Sequence, residues 1–412
     1  MNRAVLAALV CCVVADAGDW PQFRGPGGQG HSTEMGLPLE WSESRHVVWK
    51  TPVAGAGWSS PSIQGNRVWL TTATDGGRSL RAIAIDIKTG RTITDVEVFR
   101  LTGDIPIHAK NSHASPTPVI DGDYVYLHFG SHGTACIRVS GEIVWRTRLP
   151  YYHRHGPGAS PVLHKDLLII SCDGYDTQYV VALDKKTGKI RWKSPRAGYQ
   201  AYTTPLLINV EGRDQVVSPG AYRAVAYDPL TGGEIWSVRY GKGYSNVPRP
   251  VFGAGFVFLC SGFDEPSILA VNPKGKGDVT ETHVAWTGRR GAPLTPSPLL
   301  AGNELYFVSD NGIASSVDAR TGSEHWRHRL GGNYSASPVY ADGRIYFTSE
   351  ECETVAIAPG KQFNLLARNR LDGQCLASMG ISEKAIFIRS NDHLYRLENK
   401  SEVRVPAEVL SR

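Results

Sequence analysis

A motif of the form Ala-x-Asp-x-x-Thr-Gly-x-x-x-Trp recurs along this chain. Such a repeat restricts the fold to architectures in which like units cover one another. Ala182, Asp184, Thr187, Gly188 and Trp192 fill it, as do Ala226, Asp228, Thr231, Gly232 and Trp236. Asp318, Thr321, Gly322 and Trp326 fill it again, with Ser316 in the alanine place. An earlier copy keeps Ala84, Asp86, Thr89 and Gly90 but carries Thr94 where the tryptophan belongs. Degraded copies end at Trp145 and at Trp286, the latter after an insertion around Lys274 to Asp278. Trp49 is one more such tryptophan, but the strands that should precede it are missing.

Between the tryptophans lies a second anchor, a small or hydroxyl residue followed by proline and an apolar run. The prolines are Pro61, Pro118, Pro161, Pro205, Pro250, Pro298 and Pro338, with Met379 in the eighth place. Hairpin signals such as Asp121-Gly122, Gly302-Asn303 and Asp342-Gly343 follow. Each unit therefore reads as four antiparallel strands. The aspartate satisfies turn amides, the glycine supplies positive φ, and the tryptophan wedges against the next unit. A lone sheet of this size cannot bury both faces, whereas copies arranged around an axis can. The fold expected is all-β: an eight-bladed β-propeller of four-stranded antiparallel blades, with seven blades as the alternative count. The strand at Trp49 would complete the last sheet and close the ring, removing exposed edges.

Composition agrees. Gly (44) and Pro (25) are plentiful in 412 residues, which favours short strands and turns. A net charge of +5, with both signs interspersed, leaves no electrostatic footprint for nucleic acid. Arg3, the apolar run Ala4 to Val14 and the small-x-small site at Ala15 to Ala17 read as a signal peptide spanning residues 1–17. Cleavage after Ala17 would leave a single propeller domain over 18–405, secreted or periplasmic. No apolar stretch is long enough for a transmembrane segment. A lipoprotein anchor at Cys11 or Cys12 is not expected, because neither preceding residue (Val10, Cys11) is small and neutral. Five cysteines remain: Cys136, Cys172, Cys260, Cys352 and Cys375. Cys352 and Cys375 fall in loops on one face of adjacent blades and form the only pairing entertained.

At its tryptophan-bearing repeats the chain resembles the quinoprotein, or pyrroloquinoline-quinone-type, β-propeller family. The stretch Asp19-Trp20-Pro21-Gln22-Phe23-Arg24-Gly25-Pro26 is similar to the opening of BamB-like secreted bacterial propellers. The resemblance implies a non-catalytic scaffold that binds a protein partner or a small extracytoplasmic ligand, with peripheral association with the cell envelope. Its enzymatic alternative is a dehydrogenase that oxidises an alcohol or sugar with PQQ and Ca. The mature chain lacks the adjacent cysteines those enzymes commonly place over the quinone. No Gly-x-Ser-x-Gly, His-Glu-x-x-His or P-loop pattern occurs, and no catalytic residue is assigned. Gly25 to Gly30 precedes no strand–helix unit and reads as a loop.

Loops leading into the innermost strands share a face with the loops joining second and third strands. His108, His113, His128, His132, His153 and His155 fall on that face in two neighbouring blades, and neutral imidazoles there could ligate zinc or copper. Trp58, Tyr202, Asn246, Asn333 and Tyr334 belong to the same face and, with His113, His153 and His155, are candidate ligand-binding residues at the channel mouth. Trp58 and Tyr334 could instead pack between blades. Arg249 replaces the hydroxyl residue that precedes the anchor in the other blades. It is expected either to bind an anion in the channel or to pair with Asp264 or Glu265.

Overall fold

The computed structural model describes residues 18–103 and 106–399. The expected signal peptide, and residues 400–405 of the expected domain, lie outside the described residues. Eight sheets follow one another along the chain. Blade 1 contains Ser62–Gln64, Arg67–Thr74, Ser79–Asp86 and Thr92–Arg100, each strand antiparallel to the next. Innermost strands of neighbouring blades lie side by side about the axis. Blade 8 takes Gly380–Ser382, Ala385–Arg389 and His393–Glu398 from the end of the chain and Val47–Pro52 from its start. That outer strand places Trp49 opposite Arg396. The ring is therefore an eight-bladed propeller, and the seven-blade count falls.

The turn motif explains how one blade holds the next. Asp184 Oδ1 accepts hydrogen bonds from the Lys186 and Thr187 amides and from the Thr187 hydroxyl, and Asp86 and Asp318 repeat the arrangement. The preceding blade's tryptophan then lies over this turn. Trp145 Nε1 donates to Lys185 O at 2.9 Å, Trp192 Nε1 to Pro229 O at 3.0 Å and Trp286 Nε1 to Ala319 O at 3.1 Å. Glycine is required here for two reasons. Gly232 has φ +74°, and a Cβ on it would lie 2.5 Å from the Trp192 ring. Two blades depart from the scheme. Trp236 bonds its own blade's Gln215 at 2.8 Å, and the insertion adds Gly277–Asp278 beside it as a parallel fifth strand. Where Thr94 replaces tryptophan, Gly141 of the next blade faces the Thr94 methyl.

Nearer the axis, the residues before the anchor prolines form a chain of inter-blade hydrogen bonds. The Ser60 amide donates to the Thr117 hydroxyl, Thr117 to Ser160 and Ser160 to Thr204, each at 2.9 Å. A second run links the Arg249 amide to Ser297, Ser297 to Ser337 and Ser337 to Ser378, at 2.9 to 3.0 Å. The hydroxyls fit the narrow axis and satisfy amides that have no strand partner there.

The disulfide Cys352–Cys375 ties blade 7 to the loop leading into blade 8, while Cys136, Cys172 and Cys260 are buried free thiols.

The tryptophan contact can be separated from backbone strain by two substitutions. Gly212 also has positive φ (+83°), but a Cβ there meets open space. In urea unfolding, Gly212→Ala should cost only the left-handed conformation, about 1–2 kcal/mol. Gly232→Ala should cost a further 1–3 kcal/mol, roughly the penalty for overpacking. Equal losses would show that the tryptophan yields freely.

Candidate functional site

The central channel has one closed end and one open end. The closing element is the segment Trp20 to Ser32, which crosses the end of the channel away from the lead-in loops. Trp20 exchanges two backbone hydrogen bonds with Ile63 in blade 1, and Pro21 O accepts from Ile120 in blade 2. Gln29 and Phe252 of blade 5 bond each other twice, both at 3.0 Å. His31 meets Leu300 O in blade 6 at 2.7 Å, and Gly30 O accepts from Tyr340 in blade 7. Five innermost strands thus hold the segment. Its glycines permit the crossing, because a Cβ on Gly25 would strike the Trp20 ring at 2.4 Å. The glycine-rich loop expected over Gly25 to Gly30 is this plug.

Above the plug opens a funnel of about 560 Å³ with Phe23 in its lining. Its wall carries the hydroxyls Ser60, Thr117, Ser160, Thr204, Ser297 and Ser337, and its upper part carries Trp58, Tyr202, Tyr244 and Phe263. Mostly neutral small groups below and aromatic rings above suit a ligand with alternating polar and apolar faces. Across the mouth, Lys110 from blade 2 reaches Glu350 from blade 7 at 2.9 Å. The ammonium is exposed, so the bridge adds at most about 1 kcal/mol and can open for a ligand.

From the funnel rim an aromatic row runs outward over blades 3 to 5. Tyr175 meets Tyr199 at 5.2 Å between centroids, Tyr199 meets Tyr244 at 5.5 Å and Tyr244 meets Phe263 at 5.6 Å. All three contacts are edge-on, the preferred geometry for such rings. Tyr175 and Phe263 are 45% and 53% exposed, too much surface for core residues of their size.

The candidate residues divide by what they face. Trp58, His108, His155 and Tyr202 line the funnel, with His155 stacked on Tyr202 at 6.1 Å. Asn246 is fully buried and donates to Tyr240 Oη and Cys260 O, so it braces blade 5. Tyr334 packs in the core between blades 6 and 7, the alternative weighed for it, and Asn333 bonds Glu351 away from the funnel. Arg249 corrects an expectation. Among the described residues it makes no ion pair with Asp264 or Glu265; Nε donates to Pro205 O and Nη1 to Phe23 O. Phe23, Tyr244 and Phe263 were not foreseen. The loop aromatics Tyr244 and Phe263 carried a usable signal; Phe23 carried none, because its neighbours lie far away in sequence.

The six histidines separate into two groups. His108 and His155 meet at the funnel, 5.4 Å apart by centroid. Buried His113, His128 and His153 and half-buried His132 form a row behind it. The Ser131 amide donates to His153 Nδ1 at 3.0 Å, which places the His153 proton on Nε2. That Nε2 then donates to His132 Nε2 at 3.1 Å, while His128 pairs with the Thr134 and Tyr151 hydroxyls. The row thus holds one imidazole–imidazole hydrogen bond, with His113 meeting His132 by ring contact, and no group of three or more His, Cys, Asp or Glu among the described residues is arranged to hold a metal ion.

A quinone with calcium requires a cluster of acidic and amide oxygens. Among the described residues Asp310 is the single carboxylate in the funnel lining, and its Oδ2 already accepts the Leu294 and Thr295 amides. The disulfide joins cysteines 23 residues apart rather than adjacent ones. These residues do not fit that cofactor.

Comparison with known proteins agrees with this architecture. The family described as outer membrane protein assembly factor BamB matches residues 39–151, 102–314, 265–374 and 309–403, nearly the whole ring. The chain belongs to this family. Among BamB relatives, the assembly factor of Legionella pneumophila (strain Paris) is 23% identical over 169 residues, 40% of this chain and 43% of that protein. The chain thus matches less than half the length of that relative. BamB from Moraxella catarrhalis has a similar fold, with a TM-score of 0.63 at 13% identity over 86% of this chain and 98% of that one. A europium-containing methanol dehydrogenase aligns with a TM-score of 0.48 at 10% identity, over 84% and 90% of the two chains.

Within this BamB-family ring the histidine row makes a pH prediction. Burial, reinforced by neighbouring imidazoles, pushes His128 and His153 down to about 3 and His132 to about 4. The unfolded chain protonates these groups near 6.5, so their penalty is absent above that pH and grows as pH falls toward 4. Near pH 5 unfolding should take up about three protons from this row, a slope of roughly 1.4 kcal/mol per pH unit for each. Imidazole nitrogen NMR shifts should remain those of neutral rings at pH 5; titration near 6.5 would contradict the arrangement.

Proposed function

We propose that this chain is a non-catalytic, extracytoplasmic binding scaffold that receives a segment of another protein at the open mouth of its channel. The observation that carries this reading is the row Tyr175, Tyr199, Tyr244 and Phe263, which leads from exposed surface into the funnel. Exposed aromatic rings beside polar, hydrogen-bonding walls are typical of surfaces that bind chains rather than ions. A side chain of the bound segment would enter the funnel past Trp58 and Tyr202, and its backbone would lie along the aromatic row.

The extracytoplasmic placement is supported by the signal-like residues 1–17 of the sequence and by a relative named as an outer membrane protein assembly factor. Among the described residues no helix is long and apolar enough to cross a membrane; association with the envelope in this reading is peripheral, through the bound protein. The dehydrogenase alternative draws no support from the funnel, where the oxygen ligands that such chemistry uses are not gathered.

A photo-crosslinking amino acid at Phe263 should give a discrete adduct with one envelope protein in cells of the native host. The adduct should weaken at least several-fold when Tyr244→Ala and Trp58→Ala are added. The same probe at Leu365, exposed on the outer strand of blade 7, should give none. Equal, diffuse labelling from both positions, or a Phe263 adduct indifferent to the two substitutions, would contradict the reading.

A further inference from the structure

We propose that a small anion binds in the channel between Arg24 of the plug and Arg249 of blade 5, beneath Phe23. Both guanidiniums are buried, at 1% and 2% exposure. Arg24 Nη2 donates to Gln29 O at 2.9 Å and Pro298 O at 2.8 Å, but its Nε and Nη1 are buried without a partner. Arg249 uses Nε on Pro205 O and Nη1 on Phe23 O, and its Nη2 makes no hydrogen bond among the described residues. Neither makes an ion pair there. Of the other buried arginines, Arg196 meets Asp173 and Arg396 meets Glu398 at 3.0 Å, while Arg389 has carbonyl and hydroxyl acceptors only.

The two charges are also close enough to act on one another. Burial lowers the pKa of both to about 9, and Arg249 adds to the effect on Arg24. Burial, with a smaller effect from Arg24, also lowers the pKa of His31, so that imidazole is neutral, and among the described residues neither arginine has an acidic partner to balance it. Arginine stays protonated at neutral pH, and carbonyl acceptors satisfy donors without cancelling charge. Two neighbouring buried cations without a counter-charge are strongly disfavoured. A single anion accepting from Arg24 Nε and Nη1 and from Arg249 Nη2 removes the conflict. Its chemistry is that of a halide or a small tetrahedral oxyanion. Bound there, it fastens the plug to the ring at the one blade where arginine has displaced the hydroxyl.

The test uses thermal unfolding of the full chain in gluconate buffer, with chloride, bromide or sulfate added at matched ionic strength. The melting temperature should rise by a few degrees, following the logarithm of concentration above the dissociation constant for whichever anion fits. Halides acting without sulfate would identify a halide site, and the reverse an oxyanion site. Arg249→Ser, which restores the hydroxyl of the other blades, should abolish the response. Crystals of the unaltered protein grown in bromide, or in selenate where sulfate is the stabilising anion, supply a readout independent of that variant: anomalous density should lie within hydrogen-bond reach of both guanidiniums. No response to any of the three anions, an unchanged response in Arg249→Ser, or no anomalous density at that position for the anion that stabilises would overturn the proposal.

Discussion

Eight strands converging on one axis leave little space for side chains, yet each brings a backbone amide with no strand partner. The fold meets both demands with one residue type. A serine or threonine before the anchor in every blade but the fifth is small enough for the axis, and six of these hydroxyls accept the amide of the preceding blade. Each bond contributes only about 1 kcal/mol, but losing one strands a buried amide at a cost of about 1–3 kcal/mol. The chain of bonds breaks twice, between blades 4 and 5 and between blades 8 and 1, and at both breaks a buried arginine crosses instead. Arg249 reaches Pro205 O from blade 5, and Arg389 of blade 8 donates to Ser59 and to Thr71 O in blade 1.

Farther from the axis the blades diverge, and the tryptophan on the glycine turn fills the wider gap. The two devices divide the work by radius, small polar groups inside and large apolar wedges outside. The funnel is a consequence of the inner one. Because the wall residues are small, the channel keeps space for a ligand; because the plug fills its other end, that space opens on one face only. The aromatic row and the histidines then mark one sector of the rim.

Much of this was legible in the amino-acid order because it repeats. Local turn chemistry around Asp184 or Asp228 announces a blade, the recurrence counts eight, and the orphan strand at Trp49 requires a partner at the other terminus. The Cys352–Cys375 bond followed from placing both loops on one face. The site was less legible because its residues meet through distance rather than repetition. Nothing near Phe23 says that it will lie beside a funnel built by strands hundreds of residues away. Asn246 and Tyr334 sit in the right loops, but alternate positions in such loops face the neighbouring blade. Arg249 stood out as a break in pattern. A carboxylate was the natural partner for a buried charge, and blade 4 and the plug each supplied a carbonyl instead.

Amide hydrogen exchange measures the inner chain of bonds most directly. The amides of Thr117, Ser160, Ser297 and Ser337 should exchange only through global unfolding, with protection equal to the stability of the whole ring. The amide of Thr204, facing Arg249 where the next hydroxyl should be, should exchange markedly faster. Protection at the four bonded amides no greater than at Thr204 would contradict the claim that this chain holds the blades together.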